Sequence, residues 1–350
     1  MLDKFIIKNI KCVNLLRKLL LPFVPFYYLV TWLRNIMYDL GLKKSSTYNF
    51  PVIAVGNLSV GGTGKSPMVE YLISLLKDEF VIATLSRGYK RETKGFQIVE
   101  PSCTAKQVGD EPLQFKKKFK DIIVSVDEDR QNGISNLRSL SPCPEVIILD
   151  DAYQHRKVKA GFYILLTAYY NLYCDDIVLP TGNLRESRKG ANRADVIIVT
   201  KCPSNISFEE RERITKKLKI QSNQDLFFTT INYQKNIVNA SGVKTLDSLQ
   251  DINFTLVTGI ANPKPLLDFY MSLGLQFNHI NFPDHHNFTN EEMEKLNNLE
   301  FIITTEKDYV RLNTGILEGK LWYQPMEVMF VENSGIFDCK ISDYIKKDIP

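Results

Sequence analysis

Apolar strand-like runs separated by helix-patterned stretches, with a glycine-rich turn ending in Gly64-Lys65-Ser66 after the first run, predict a three-layer, P-loop NTPase-like α/β domain around a parallel sheet. A smaller second α/β domain and an N-terminal membrane-associated helical segment accompany it. Residues 52–55, 81–85, 122–126, 146–149, 163–166 and 196–199 are continuous apolar runs, the pattern of strands covered on both faces. The 350 residues exceed the length at which a single core keeps growing, so two domains are expected. The expected division is residues 1–45 for the N-terminal segment, 46–233 for the nucleotide-binding core, 234–252 for a polar linker and 253–350 for the second domain.

The N-terminal fifty residues carry eight Lys and Arg against two Asp. Residues 19–33 are almost wholly apolar and aromatic but contain Pro22 and Pro25. Fifteen residues fall short of the roughly 20 that span a bilayer as a helix. Aromatics flanked by cations suit a segment lying in the headgroups of an anionic leaflet. Packing onto the protein's own core is the alternative. The whole chain is only +4 and the basic excess sits in this segment, so no nucleic-acid partner is expected.

The first strand runs into Gly-Asn-Leu-Ser-Val-Gly-Gly-Thr-Gly-Lys-Ser-Pro at 56–67, followed by a helical pattern. Strand, glycine-rich turn, Gly-Lys-Ser and helix form the P-loop layout. Ser59, Val60, Gly61, Gly62, Thr63, Gly64, Lys65 and Ser66 are the candidate phosphate loop, although Ser59 stands where the strict pattern has glycine. Converging N–H groups and the helix dipole favour phosphate there. Lys65 reaches β/γ-phosphates and Ser66 can ligate Mg2+.

Further along, Ser86-Arg87-Gly88-Tyr89 places an arginine at the end of the second strand. Gly109-Asp110-Glu111-Pro112 offers paired carboxylates, read either as a helix cap or as a general base beside a metal ligand. The lysines of 116–120 read as a solvated helix face. The strand at 146–149 ends in Asp150 and Asp151, of which one would serve Mg2+ at the carboxyl edge of the sheet. Gln154 and His155 follow. The loop 180–189, with Asn183, Arg185 and Arg188, is a candidate grip for an anionic substrate, as is Arg87. In the second domain, Phe282-Pro283-Asp284-His285-His286 gathers two of the four histidines, and Thr305-Glu306-Lys307-Asp308 closes a strand. The six cysteines are scattered with no C-x-x-C pair, which argues against a zinc site or disulfide scaffold.

These segments, in this order, resemble the tetraacyldisaccharide 4′-kinase family, the lipid A kinases of Gram-negative bacteria. The resemblance covers the chain from its apolar N-terminal segment to at least Asp308; residues 309–350 match no motif. It implies a kinase that moves the ATP γ-phosphate to the 4′-hydroxyl of a tetraacylated glucosamine disaccharide 1-phosphate, forming lipid IVA. It implies ATP and Mg2+ as cofactors, the lipid-linked disaccharide as partner and no inferred protein partner. It also implies a peripheral or monotopic place on the cytoplasmic leaflet of the bacterial inner membrane. Carried over by motif, residues 59–66 become the ATP phosphate loop, whose missing first glycine is also missing in the family. Asp110 and His285 become an aspartate–histidine dyad, with His286 open as the alternative partner. Glu111, Asp150 and Asp151 take magnesium-side roles. The dyad would join a carboxylate of the P-loop domain to a histidine of the other.

Three rival functions are distinguishable. A partner-sorting P-loop ATPase would carry Lys where this chain has Val60. A GTPase would carry aspartate in its guanine-reading box where Thr200-Lys201-Cys202-Pro203 ends in proline. A nucleotide-holding module would leave Asp110, Glu111 and the histidine pair without a task.

Overall fold

The computed structural model describes residues 17–284, 286–312, 315–316 and 319–348. They divide into two compact units. The first comprises residues up to 86, 129–230 and 330–350; the second comprises 87–128 and 231–329.

Six strands lying wholly or mostly in the first unit run parallel: β1 (Val52–Asn57), β2 (Ile82–Ser86), β3 (Val146–Asp150), β4 (Phe162–Ala168), β5 (Val196–Thr200) and β6 (Asp225–Tyr233). Their order is β6-β5-β4-β1-β3-β2. Every residue of β1, β2, β3 and β5 is buried, as continuous apolar runs require. The chain leaves β1 for β2 on one side and returns to β4 on the other, so β1 marks the switch point. In such sheets the crevice beyond the carboxyl ends binds ligand. The candidate phosphate loop opens from that end of β1.

Helix α1 (Val24–Asp39) has no buried residue. At about 1.5 Å per residue it is about 24 Å long, against a hydrocarbon core of about 30 Å. Among the described residues no helix is long and apolar enough to cross a membrane. Val24 and Tyr27 pack on a core that includes Leu58, Leu165 and Leu184, while Phe23, Phe26, Leu29, Val30 and Leu33 are exposed. The helix therefore does a little of what self-packing predicts and leaves a broad apolar face uncovered. The C-terminal helix Ser334–Asp348 also belongs to this unit. Tyr344 Oη accepts from Val52 N–H at 3.0 Å, and Tyr71 Oη donates to Asp338 at 2.8 Å. Residues 330–348 thus leave the second domain to which the sequence assigned them.

The second unit holds a six-stranded sheet. Its parallel part is β7 (Phe254–Thr258), β8 (Phe277–Asn281), β9 (Ile302–Thr305) and β10 (Leu321–Gln324), ordered β10-β9-β7-β8. Asn236–Asn239 joins β10 antiparallel and pairs in turn with Gly242–Thr245. The stretch 234–252, expected as a linker, is therefore sheet edge. Its polarity misleads because Gly242–Thr245 is exposed, while Ile237, Leu246 and Leu249 supply the buried anchors.

The larger departure concerns residues 87–128, expected in the P-loop domain and found with the second unit. Helices α3 (Asp110–Lys118) and α4 (Glu306–Leu312) show why. Lys118 at the end of α3 bonds Glu306 at the start of α4 at 2.8 Å, and Asp110 at the start of α3 faces Arg311 near the end of α4 at 3.9 Å. The helices thus run antiparallel. Acids sit at both N-terminal ends and cations at both C-terminal ends, the arrangement the helix dipoles favour. Lys118 is accordingly no part of a solvated face.

Candidate active site

The phosphate loop is built by packing as much as by glycine. A Cβ at Gly56 would lie 2.6 Å from the Tyr153 Cβ, so only glycine lets β1 pass that side chain. Gly64 sits at φ 84°, caps helix α2 (Lys65–Leu76), and needs the left-handed region that glycine enters freely. Asn57 Nδ2 donates to Thr63 Oγ1 at 2.6 Å, Thr200 Oγ1 to the Thr63 carbonyl at 2.8 Å and Lys201 Nζ to the Gly62 carbonyl at 2.7 Å. Thr200 and Lys201, considered above only as a broken guanine box, instead brace the loop. On the other side Val60 N–H bonds the Asn183 carbonyl and Arg185 N–H the Leu58 carbonyl, at 2.8 and 2.7 Å. The loop 180–189 is thereby a second wall of the phosphate loop.

Charge converges on Asp151. Lys65 Nζ lies 3.6 Å from its carboxylate, and Arg185 Nη1 donates to both oxygens at 3.1 Å. Burial pushes this carboxyl up, but Lys65 and Arg185 outweigh it and hold the group below the usual carboxylate range. Asp151 also has φ 47°, in the left-handed region that aspartate enters more readily than most non-glycine residues, and this turn aims it. Asp150, buried at the end of β3, accepts from Ser86 Oγ at 3.2 Å. Its carbonyl accepts from the buried Arg130 at 3.1 Å. The two neighbouring acids are thus differently employed: Asp151 holds cations, and Asp150 pairs in register with Val55, just ahead of the phosphate loop.

A further layer escaped the sequence reading. Glu186, 2 % exposed, binds Arg193 through both oxygens at 2.8 and 2.9 Å and accepts from Asn35 of α1 at 2.7 Å. Gln154 links Glu186 to the Asn57 carbonyl at 3.2 and 2.8 Å, and Arg34 donates to the Gln154 carbonyl at 2.7 Å. Tyr27 Oη donates to the Arg185 carbonyl at 3.0 Å. The N-terminal helix is therefore bonded to the residues that carry Arg185. The adjacency Arg185-Glu186 is the one signal in the sequence, and an isolated acid in a cationic loop gives no reason to expect burial.

The other candidates separate. Arg188 is exposed and its guanidinium rests on the Asp176 carbonyl at 2.8 and 2.9 Å. Asn183 bonds Asp176 at 2.8 Å and accepts from Arg17 at 3.0 Å. Arg87 is exposed at the first position of the second unit. His155 is half-buried, and that burial, with Arg130 second, pulls its ring down to about 4.

In the second unit Asp110 faces Arg311, and Glu111 follows it in the first turn of α3. His285 lies outside the described residues. His286 bonds Glu292 at 2.9 Å, stacks on Phe282 at 4.9 Å and meets Phe288 edge-on at 5.1 Å. Glu292 also closes the capping box of Thr289. His286 is thus committed to the local packing of its own loop. Asp110 shares a unit with this loop and not with the P-loop, contrary to the split expected for the dyad.

The chain is 49% identical over 339 residues to a tetraacyldisaccharide 4′-kinase of Flavobacterium johnsoniae, covering 96% of this chain and 99% of that protein. It is 41% identical over 354 residues to one of Phocaeicola vulgatus, covering 95% and 96%. Among solved structures, the apo-form LpxK of Aquifex aeolicus in complex with ATP superposes with a TM-score of 0.76 at 32% identity, covering 94% of this chain and 99% of that one. Residues 16–346 match the tetraacyldisaccharide-1-P 4′-kinase family, and the chain belongs to that family.

Proposed function

We propose that the family reaction, transfer of the ATP γ-phosphate to the 4′-hydroxyl of a tetraacyldisaccharide 1-phosphate, is carried by residues 59–66, Arg185, Asp151 and Asp110. The observation that carries this assignment is the clamp on Asp151 at the mouth of the phosphate loop. Phosphoryl transfer is largely positioning and charge stabilisation. Lys65, at 3.6 Å, is oriented by Asp151 without a close hydrogen bond, so its N–H groups remain available to phosphate oxygens. Arg185 is held more tightly by the same carboxylate and supplies a second fixed charge. A cation preorganised in this way costs no reorganisation at the moment of reaction.

The donor set fits Mg2+. Among the described residues no group of three or more His, Cys, Asp or Glu could form a protein cage for a metal. Mg2+ is commonly held by one or two carboxylates together with substrate phosphates. Ser66, in the first turn of α2, and Asp150 would hold it; when bound, the ion screens phosphate charge. Asp151, engaged by two cations, orients them instead. Asp110 takes the proton of the acceptor hydroxyl. His285 is its partner on this reading, because His286 is occupied by Glu292 and two aromatic rings.

The acceptor's acyl chains stay in a leaflet, so the enzyme must work at a surface. The exposed Phe26, Leu29, Val30 and Leu33 of α1, with the basic N-terminal segment, support docking on an anionic cytoplasmic leaflet of the inner membrane. The residue roles are tested by labelled ATP and disaccharide 1-phosphate in detergent micelles. Native protein places label on the lipid, while Lys65→Ala and Asp110→Ala each lose it. Retained turnover in Asp110→Ala removes that residue as the base.

A further inference from the structure

We propose that Arg311 is a positioning residue for Asp110, an assignment that rests on the reading of Asp110 as the base. Arg311 lies three residues past the Thr305-Glu306-Lys307-Asp308 motif, and its side chain is 7% exposed. Its guanidinium bonds the Asp308 carboxylate, donates to the His286 carbonyl at 3.0 Å and approaches the Gly259 carbonyl at 3.4 Å. The Asp308 anchor is itself fixed: fully buried, it accepts from Gly259 N–H at 2.8 Å and Thr305 Oγ1 at 2.7 Å. From that anchor the guanidinium presents Nε to Asp110 Oδ2 at 3.9 Å.

That distance has a chemical meaning. At 3.9 Å the pair is coulombic and no hydrogen bond joins Nε to the carboxylate. A direct charge-assisted bond would occupy a lone pair and depress basicity strongly. Arg311 at this range acts on the carboxylate through charge and orients it without itself bonding the oxygen. The same planar fork bonds the His286 carbonyl, so one side chain meets both the Asp110 carboxylate and the loop that carries His286. Lysine offers a point charge without the fork and cannot hold Asp308 and the His286 carbonyl together.

The test uses the full chain with ATP and disaccharide 1-phosphate lipid in micelles, comparing Arg311→Met, Arg311→Lys, Asp110→Ala and Arg311→Met with Asp110→Ala. Arg311→Met is expected to lower kcat about 10–100-fold, part of the roughly 10²–10⁴ attributed to a positioned base, with the KM for ATP within about twofold of native. Arg311→Lys is expected to recover part of that loss. In the Asp110→Ala background, removing Arg311 is expected to cost almost nothing more, as for residues acting as a unit. Native kcat in Arg311→Met, or fully multiplicative losses in the double variant, would overturn the assignment while an inactive Asp110→Ala leaves the base in place. An active Asp110→Ala removes the base itself, and this inference with it. Should Arg311→Met fail to fold, Arg311→Lys carries the test alone, and a native kcat there refutes it.

Discussion

Lys65 and His155 are the residues whose environments make the plainest demands. Lys65→Ala removes the one cation that projects from the loop itself while leaving the glycine turn, its braces and Arg185 in place. A loss of about 10²–10³ in kcat or more is expected, the scale for removing one preorganised charge from a transition state, with the melting temperature unchanged. Single-turnover transfer measures it. His155 is half-buried, with its Nε2 4.0 Å from Asp129, and its folded pKa is pulled down to about 4 from 6.5 by burial first and Arg130 second. As pH falls, the unfolded chain therefore takes the proton first. The contribution is fully present above about pH 6.5 and is lost as pH falls from there toward 4. His155→Gln is expected to flatten the urea midpoint across that window, and an unchanged slope would contradict the burial argument. At this scale rare combinations such as Gly64-Lys65-Ser66 and Asp150-Asp151 stand out in the sequence, and the structure sets them at or beyond the ends of two paired parallel strands. The sequence was silent on Glu186, Arg193 and Arg311, because nothing local distinguishes a buried charge from a solvated one; besides the near pairs Glu186–Arg193 and Arg311–Asp308, the partners Asn35, His286 and Asp110 lie far away in sequence.

Helices α1 and α3 illustrate how elements carry function through what they leave uncovered and what they pin. On α1, Asn35 and Arg34 bond the site loops while Phe26, Leu29 and Leu33 stay exposed. Phe26→Asp with Leu29→Asp touches no described core contact. It is expected to abolish co-sedimentation with anionic vesicles while ATP affinity stays native. Native sedimentation would assign the apolar face to something other than lipid. On α3, Lys118→Met leaves Glu306, whose side chain is 4% exposed, without its 2.8 Å partner. A loss of about 1–3 kcal/mol is expected, the range for stranding a buried polar group, read from denaturant midpoints. Helix α1 was foreseeable as an apolar, cation-flanked run. The α3–α4 clamp was not, because 116–120 has the composition of an exposed face and its partner Glu306 is 188 residues from Lys118.

The two compact units place the molecule's chemistry differently from the expectation of two consecutive domains. The parallel sheet of the first unit was readable, since continuous apolar runs have few alternatives, and its switch point at β1 follows from strand order. The assignment of residues 87–128 and 330–348 was not, because ion pairs such as Lys118–Glu306 and bonds such as Tyr344–Val52 tie together segments far apart in the chain. Asp110 and the loop ending in His286 thus belong to one unit, and the phosphate loop with Asp150, Asp151 and Arg185 to the other. The central claim is that ATP held at the phosphate loop is used on a lipid hydroxyl whose proton Asp110 removes. The most direct measurement follows γ-labelled ATP in a single turnover with and without the disaccharide 1-phosphate, locating the label by mass and phosphorus NMR. The account predicts a 4′-monoester formed only with the acceptor, and no such product from Asp110→Ala even though it binds ATP normally. Label released as inorganic phosphate regardless of acceptor, or a 4′-monoester made at native rate by Asp110→Ala, would contradict it.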